Sequence, residues 1–154
     1  MDRDIRIRAV GRQQRDLLIE MYERFEPLGA ALGLPPRGKE PRREWIEVAL
    51  SQEMNLGAWS PAGAAVGHCF LVADQEASAE LAVFVRQEFR RRGVATALVK
   101  TMLERGCTSG LRRIWALTGS ENHASLRLLD RCGFRPISAG SCGAEEFELH
   151  LPGA

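Results

Sequence analysis

Residues 80–96, Glu-Leu-Ala-Val-Phe-Val-Arg-Gln-Glu-Phe-Arg-Arg-Arg-Gly-Val-Ala-Thr, constrain the fold of this chain more than any other stretch. Leu81, Val83 and Val85 alternate on one face of a strand while Glu80 lies on the other, a period of two. Beyond the turn, Val94, Ala95, Leu98, Val99, Met102 and Leu103 fall at helical spacing, with Gly106 just past the expected end. A strand therefore runs through a basic turn into an amphipathic helix. The first amides of such a helix have no intrahelical acceptor, and the macrodipole adds about half a positive charge there. Gly93 lets the main chain approach a ligand without a Cβ in the way, Ala95 keeps the next turn low, and Arg90, Arg91 and Arg92 supply full charges. These features agree on a bound phosphate or pyrophosphate. The plain alternative is a solvated arginine run that ends at a turn glycine.

With 154 residues, 45% hydrophobic and 27% charged, the composition is that of one compact domain spanning residues 1–154. A chain of this length buries roughly 70% of its unfolded surface, so it needs neither disulfides nor a metal to hold a core. The 21 Lys+Arg and 20 Asp+Glu nearly cancel, which leaves no global field to gather nucleic acid or an anionic membrane. Cys69, Cys107, Cys132 and Cys142 have no CxxC spacing and His68, His123 and His150 are scattered, so no structural metal is expected. The opening MDRDIRIR has no apolar leader, and no run approaches the roughly 20 apolar residues of a membrane span. A soluble, cytoplasmic protein with reduced thiols is expected.

Along the chain, Ile5 to Val10 reads as a strand, and Leu17, Leu18, Met21, Tyr22 and Phe25 mark a helix within residues 11–25. Residues 26–42 hold Pro27, Pro35, Pro36 and Pro41 with Gly29, Gly33 and Gly38, a shaped loop over a site. Pro41 suits a helix start, and Trp45, Ile46, Val48, Ala49 and Leu50 give a second helix ending near Met54. Strands follow at 56–59, 65–73 and 79–85, then the helix from Val94, a strand at 113–117, a helix at 124–132, a further strand near 134–138 and a last one at 147–151. Trp45, Trp59 and Trp115 are assigned to the core, and His68 to a satisfied position in the sheet.

Competing phosphate motifs are absent: there is no GxxxxGK[ST], and no GxGxxG follows a strand. The basic run lacks interleaved aromatics and the chain is near neutral, which argues against nucleic acid. Downstream, Asn122-His-Ala-Ser125 opens a short helix that closes at Gly133-Phe134. Together, Arg90-x-x-Gly93-x-Ala95 and the Asn122 to Gly133-Phe134 block resemble the GNAT N-acetyltransferase superfamily, over about residues 56–136.

That resemblance implies an α/β fold with a mixed, mainly antiparallel central sheet flanked by helices, its fourth and fifth strands splayed. Acetyl-CoA would be the co-substrate, no metal would take part, and the acceptor would be an amine of a small molecule or a protein. A homodimer is compatible with it. The pantetheine arm would pair with the main chain of Val83, Phe84 and Val85, and the pyrophosphate would rest on the amides of Arg91, Arg92, Gly93, Val94, Ala95 and Thr96. Arg90, Arg91 or Arg92 would add side-chain contacts. Asn122 would bond the pantetheine or position the thioester, with a simple N-cap as the alternative, and Ser125 would face the cofactor one turn later, with a solvated helix surface as the alternative. An alkylammonium with a pKa of about 10.4 costs roughly 4.6 kcal/mol to deprotonate at pH 7, so a base is expected. Glu80 is the candidate, with a solvated strand-edge carboxylate as the alternative and a bulge in its strand able to reverse its facing. A free Val83 amide would stabilise the oxyanion. Leu129 stands where many members of the superfamily have an acid tyrosine, which leaves a non-catalytic acyl-CoA-binding protein open as a second reading.

Overall fold

The computed structural model describes residues 3–29, 33–138 and 143–153. Its strands are β1 (Arg6–Ala9), β2 (Asn55–Trp59), β3 (Ala65–Gln75), β4 (Ser78–Val85), β5 (Arg113–Gly119), β6 (Arg135–Ser138) and β7 (Ala144–His150). Its α-helices are α1 (Arg15–Glu23), α2 (Lys39–Leu50), α3 (Val94–Thr108) and α4 (His123–Arg131). The strands form one sheet in the order β1-β2-β3-β4-β5-β7-β6. Every neighbouring pair is antiparallel except β4 and β5, which run parallel because α3 carries the chain across between them.

Alternation along the strands builds two cores, one on each face of the sheet. Leu56, Ala58, Leu71, Leu81, Val85, Ile114 and Ala116 pack with Leu98, Val99 and Met102 of α3 and Leu129 of α4. On the opposite face, Trp59 and Ala65 pack with Leu18, Met21 and Tyr22 of α1 and Ile46 and Leu50 of α2. Leu98, Val99 and Met102 have no exposed surface, and burial of each such side chain is worth about 1.5–3 kcal/mol. That packing fixes α3 on the sheet and, with it, the position of the turn that precedes it.

The helix boundaries differ from the sequence expectation in instructive ways. A 3-10 turn at Arg12–Gln14 precedes α1, and α2 ends at Leu50 rather than near Met54. Gly106 is not the stop of α3, which continues to Thr108. Gly106 is buried against the sheet instead: a Cβ there would sit 3.2 Å from Ile114 Cδ1 and 3.3 Å from Leu111 Cδ1. The left-handed glycine after the helix is Gly110, at φ 92°. The last strand begins three residues earlier than its apolar pattern indicates, since its pairing with β5 extends to Gly119↔Ala144. Residues 139–142, Cys142 among them, lie outside the described residues, as do residues 30–32 of the loop over 26–42.

Candidate active site

β4 and β5 are joined only at their beginnings. Their register runs Ser78↔Arg113, Ala79↔Ile114 and Glu80↔Trp115, and stops there. β4 continues to Val85 and β5 to Gly119, so the two strands part over the second half of their length. The pairing of β4 with β3 is unbroken from Ala79↔Ala73 to Val85↔Gly67, with the irregularity confined to Asp74. No bulge therefore reverses the facing of Glu80. Arg86 N donates to Val66 O (2.9 Å), which sets the alternation of the ladder: even-numbered residues of β4 bond to β3 and odd-numbered ones turn their main chain toward β5. Val83 thus presents an amide and a carbonyl to the gap with no strand opposite.

At the wide end of the gap the chain makes a strained turn. Arg91 takes φ 62°, unusual for a residue with a side chain, and Gly93 takes φ 78°. Left-handed residues so close together turn successive N–H groups toward a common side, the geometry of an anion-binding concavity. The first α-helical bond of α3 runs from Ala97 N to Gly93 O (3.0 Å), and no side chain caps the helix. The amides of Val94, Ala95 and Thr96 precede that bond, so the helix offers them and its positive pole to a ligand. The Phe89 ring anchors the turn, with the Arg86 and Arg92 guanidinium groups 5.6 and 5.2 Å from its centre. Arg91 is exposed. Arg90 is engaged elsewhere: its Nε donates to Val85 O (2.9 Å), a second guanidinium nitrogen donates to Glu26 O, and it lies 5.3 Å from the centre of the Phe25 ring.

Glu80 lies where the gap begins, half-buried, on the face of the sheet that carries Phe84 and the α1–α2 core. Burial first, then the negative charges of Asp74 and Glu146, hold its carboxyl above the ordinary glutamate range. Trp115, assigned to the core by sequence, is instead half-exposed beside Glu80, and its indole N–H donates to Asp74. The reason is coverage: α1 and α2 pack over β2 and β3, leaving the same face of β5 open, where Leu117 is 40% exposed. Sequence reading missed Asp74 because its placement depends on the irregularity that interrupts the β3–β4 register between Ala73 and Gln75.

Asn122 caps α4, its Oδ1 accepting from Ser125 N (3.1 Å), so its amide nitrogen stays available while its oxygen holds the helix start. Asn122 N also bonds to Gly119 O (3.0 Å), which ties the cap to the end of β5. Ser125 is partly exposed one turn along, and Leu129 is buried at 4% exposure in the core. His123 is exposed.

His68 is fully buried and fully bonded. Tyr22 Oη meets its Nδ1 at 2.6 Å, and its Nε2 meets Asn55 Oδ1 at 2.7 Å. Asn55 spends its own Nδ2 on Ala49 O (2.9 Å) and Gln52 O (3.1 Å). The imidazole is therefore neutral, donating from Nε2 and accepting from the tyrosine hydroxyl, and burial lowers its pKa to about 3. This chain cross-links α1, β3 and β2 and has no free proton to lend. Among the described residues no cluster of three His, Cys, Asp or Glu is arranged to hold a metal, and no helix is long and apolar enough to cross a membrane.

The class of this strand pair and its neighbouring helix start is given by comparison with known proteins. The model of the acetyltransferase (GNAT) family matches residues 15–134, and the chain belongs to that family. Its fold is shared with a phosphinothricin acetyltransferase from Sinorhizobium meliloti in complex with acetyl-CoA, at 16% identity and a TM-score of 0.78, over 96% of this chain and 89% of that one. It is shared equally with yncA, a putative acetyltransferase from Salmonella typhimurium with its cofactor acetyl-CoA, at 18% identity and a TM-score of 0.78, over 97% and 95%. The ribosomal-protein-S18-alanine N-acetyltransferase of Escherichia coli aligns at 14% identity and a TM-score of 0.76, over 97% and 96%. No curated protein matches the chain.

Proposed function

We propose that this chain, acting as a single domain, is an N-acetyltransferase that carries the acetyl group of acetyl-CoA to a primary amine by direct attack in a ternary complex. One observation carries the reading: the β4–β5 ladder ends at Glu80↔Trp115, and the uncapped start of α3 stands at the open end of the resulting gap. The fit is of the right kind at both ends of a coenzyme A. A flexible arm with amide groups needs unpaired main chain, which Val83 offers, whereas Ala82 and Phe84 are spent on β3 and Val85 O accepts from Arg90; a diphosphate needs the amides of residues 91–96 with Gly93 free of a side chain. The acetyl group borne by the coenzyme is the electrophile.

The residues of the chain have distinct tasks in this scheme. Glu80 takes the proton from the ammonium, directly or through a water, because its raised pKa brings it closer to the operating pH than an exposed glutamate. The amine nitrogen then forms the amide bond as the carbon–sulfur bond breaks, with the Val83 amide donating to the oxygen that gains charge. Asn122 holds the far wall through its cap on α4. A thiol with a pKa of about 8.5 leaves tolerably well without a protein acid, which suits the core-buried Leu129 standing where many members of the family have an acid tyrosine.

The neighbours acting on phosphinothricin and on a ribosomal-protein alanine support an amine acceptor without selecting one. The test is an amine panel of small molecules, amino acids, polyamines and peptides, read as free thiol released from acetyl-CoA. Acceptor-dependent release that falls in Glu80→Gln supports the transferase. Tight acetyl-CoA binding with no release across the panel supports the second reading, a coenzyme-binding protein with little turnover, which Leu129 favours.

A further inference from the structure

The turn that leads into α3 is bonded to the beginning of the α1–α2 connection by two side chains. Gln87 spans both polar directions: its Nε2 donates to Arg24 O (2.8 Å), and its Oε1 accepts from Glu26 N (3.1 Å). Arg90 bonds Val85 O and Glu26 O with one guanidinium and lies over Phe25. Phe25 in turn meets Phe84 edge to face, with ring centres 5.6 Å apart. Phe84 shares its face of β4 with Glu80, so residues 24–26 flank the side of the gap on which the base lies. The connection is also clasped further along, where Gly29 N meets Pro35 O (3.0 Å) and Arg37 Nε meets Leu28 O (3.2 Å).

We propose that Gln87 and Arg90 are positioning residues that register residues 24–29 against the diphosphate cradle, so that filling the cradle orders the acceptor side of the gap. The inference rests on the coenzyme A reading above. The physical reason is a short, doubly bonded path. Gln87 and Arg90 belong to the same turn as Arg91 and Gly93, whose left-handed conformations shape the cradle. An anion gripped by that turn restrains it, and the hydrogen bonds to Arg24 O, Glu26 N and Glu26 O pass the restraint on. Arg90, the first residue of the signature, then acts through Glu26 and Val85 rather than on the phosphate. Coenzyme and acceptor would be coupled by a shared ordering of residues 24–29.

Amide hydrogen exchange with and without coenzyme A tests this on the full chain. In the unaltered protein coenzyme A is expected to slow exchange by about tenfold or more both at residues 91–96 and at residues 24–29. In Gln87→Leu the slowing at 91–96 should persist and the slowing at 24–29 should be lost, and Arg90→Met should act in the same direction. Gln87→Glu, which keeps the acceptor for Glu26 N and loses the donor to Arg24 O, should retain part of it. It also serves should Gln87→Leu fail to fold. A merely structural role would raise exchange at 24–29 in the free protein and leave the coenzyme-induced slowing intact. That result in both Gln87 variants, or no slowing at 24–29 in the unaltered protein, overturns the proposal. No slowing at 91–96 in the unaltered protein overturns the coenzyme reading itself, and the coupling with it.

Discussion

Glu80 and Trp115 form the last rung between β4 and β5, and the half-buried Glu80 carboxylate therefore lies where the two strands begin to part. The same rung brings the Trp115 indole onto Asp74, so a second carboxylate is fixed near the first. The position of Glu80 follows from where the ladder stops, and its reluctance to ionise from burial first and then from Asp74 and Glu146.

The pH dependence of turnover should carry the mark of Glu80. Its carboxyl is held above the ordinary glutamate range by burial, Asp74 and Glu146, and only the ionised form accepts a proton. Activity should rise through an inflection displaced upward from about 4.3, the value of a free glutamate. Asp74→Asn and Glu146→Gln should each move that inflection down, while Glu80→Gln should remove it and lower kcat by about 100-fold or more. A pH profile of kcat/KM for the four proteins checks this, and an unchanged profile in Glu80→Gln would show that the base is elsewhere.

His68 makes a prediction about stability rather than turnover. Its folded pKa of about 3 lies below the value of about 6.5 in an unfolded chain. Between these values the unfolded state binds the extra proton, so stability is fully present above the unfolded value and falls as pH drops toward the folded one. The slope from this residue is about 1.4 kcal/mol per pH unit, summing to several kcal/mol over the window. Urea unfolding at a series of pH values should show it, and His68→Gln should flatten it while lowering stability at neutral pH.

Gly57 is a packing constraint in β2. A Cβ added there would lie 2.8 Å from Cζ2 of Trp59, a ring that is 5% exposed and has nowhere to retreat. Gly57→Ala should cost about 1–3 kcal/mol by overpacking, seen as a lower midpoint in urea with an unchanged slope.

Asn122 caps α4, and its proposed contact with the cofactor can be tested apart from that cap. Asn122→Asp keeps an oxygen for Ser125 N and loses the amide nitrogen, whereas Asn122→Ala loses both. Removing the cap should cost about 1 kcal/mol, and Asn122→Asp should spare most of it. If the amide nitrogen meets the cofactor, both variants should weaken acetyl-CoA binding, Asn122→Asp included. Normal affinity in Asn122→Asp would limit the residue to capping.

How much of this was legible beforehand depends on whether a signal is local. The strand–turn–helix of residues 80–96 and the Asn122 to Gly133 block declare themselves through alternation, helical spacing and glycine at left-handed positions, and both stand where expected. The facing of Glu80 was legible too, because β4 is regular over the residues that matter. Other features hinge on tertiary partners. The placement of Arg90 depends on Glu26 and Phe25, 64 residues away in sequence for the Glu26 contact. Gly106 looks like a stop from its position after an apolar stripe, yet the approach of Leu111 and Ile114 is what requires it. Trp115 reads as core by residue type, and only the limited reach of α1 and α2 over the sheet leaves it at the rim.

Calorimetric titration of acetyl-CoA into the unaltered chain and into Gly93→Val tests the central claim most directly. Gly93 holds φ 78°, which a β-branched residue adopts only with strain, and under the proposed reading a side chain there would crowd the diphosphate. One saturable site is expected, with a gain in thermal stability of about 2.7 kcal/mol when ligand reaches a hundredfold excess over Kd, and with affinity reduced about tenfold or more in Gly93→Val. The absence of binding by the unaltered chain, or equal affinity in a folded Gly93→Val, would contradict it.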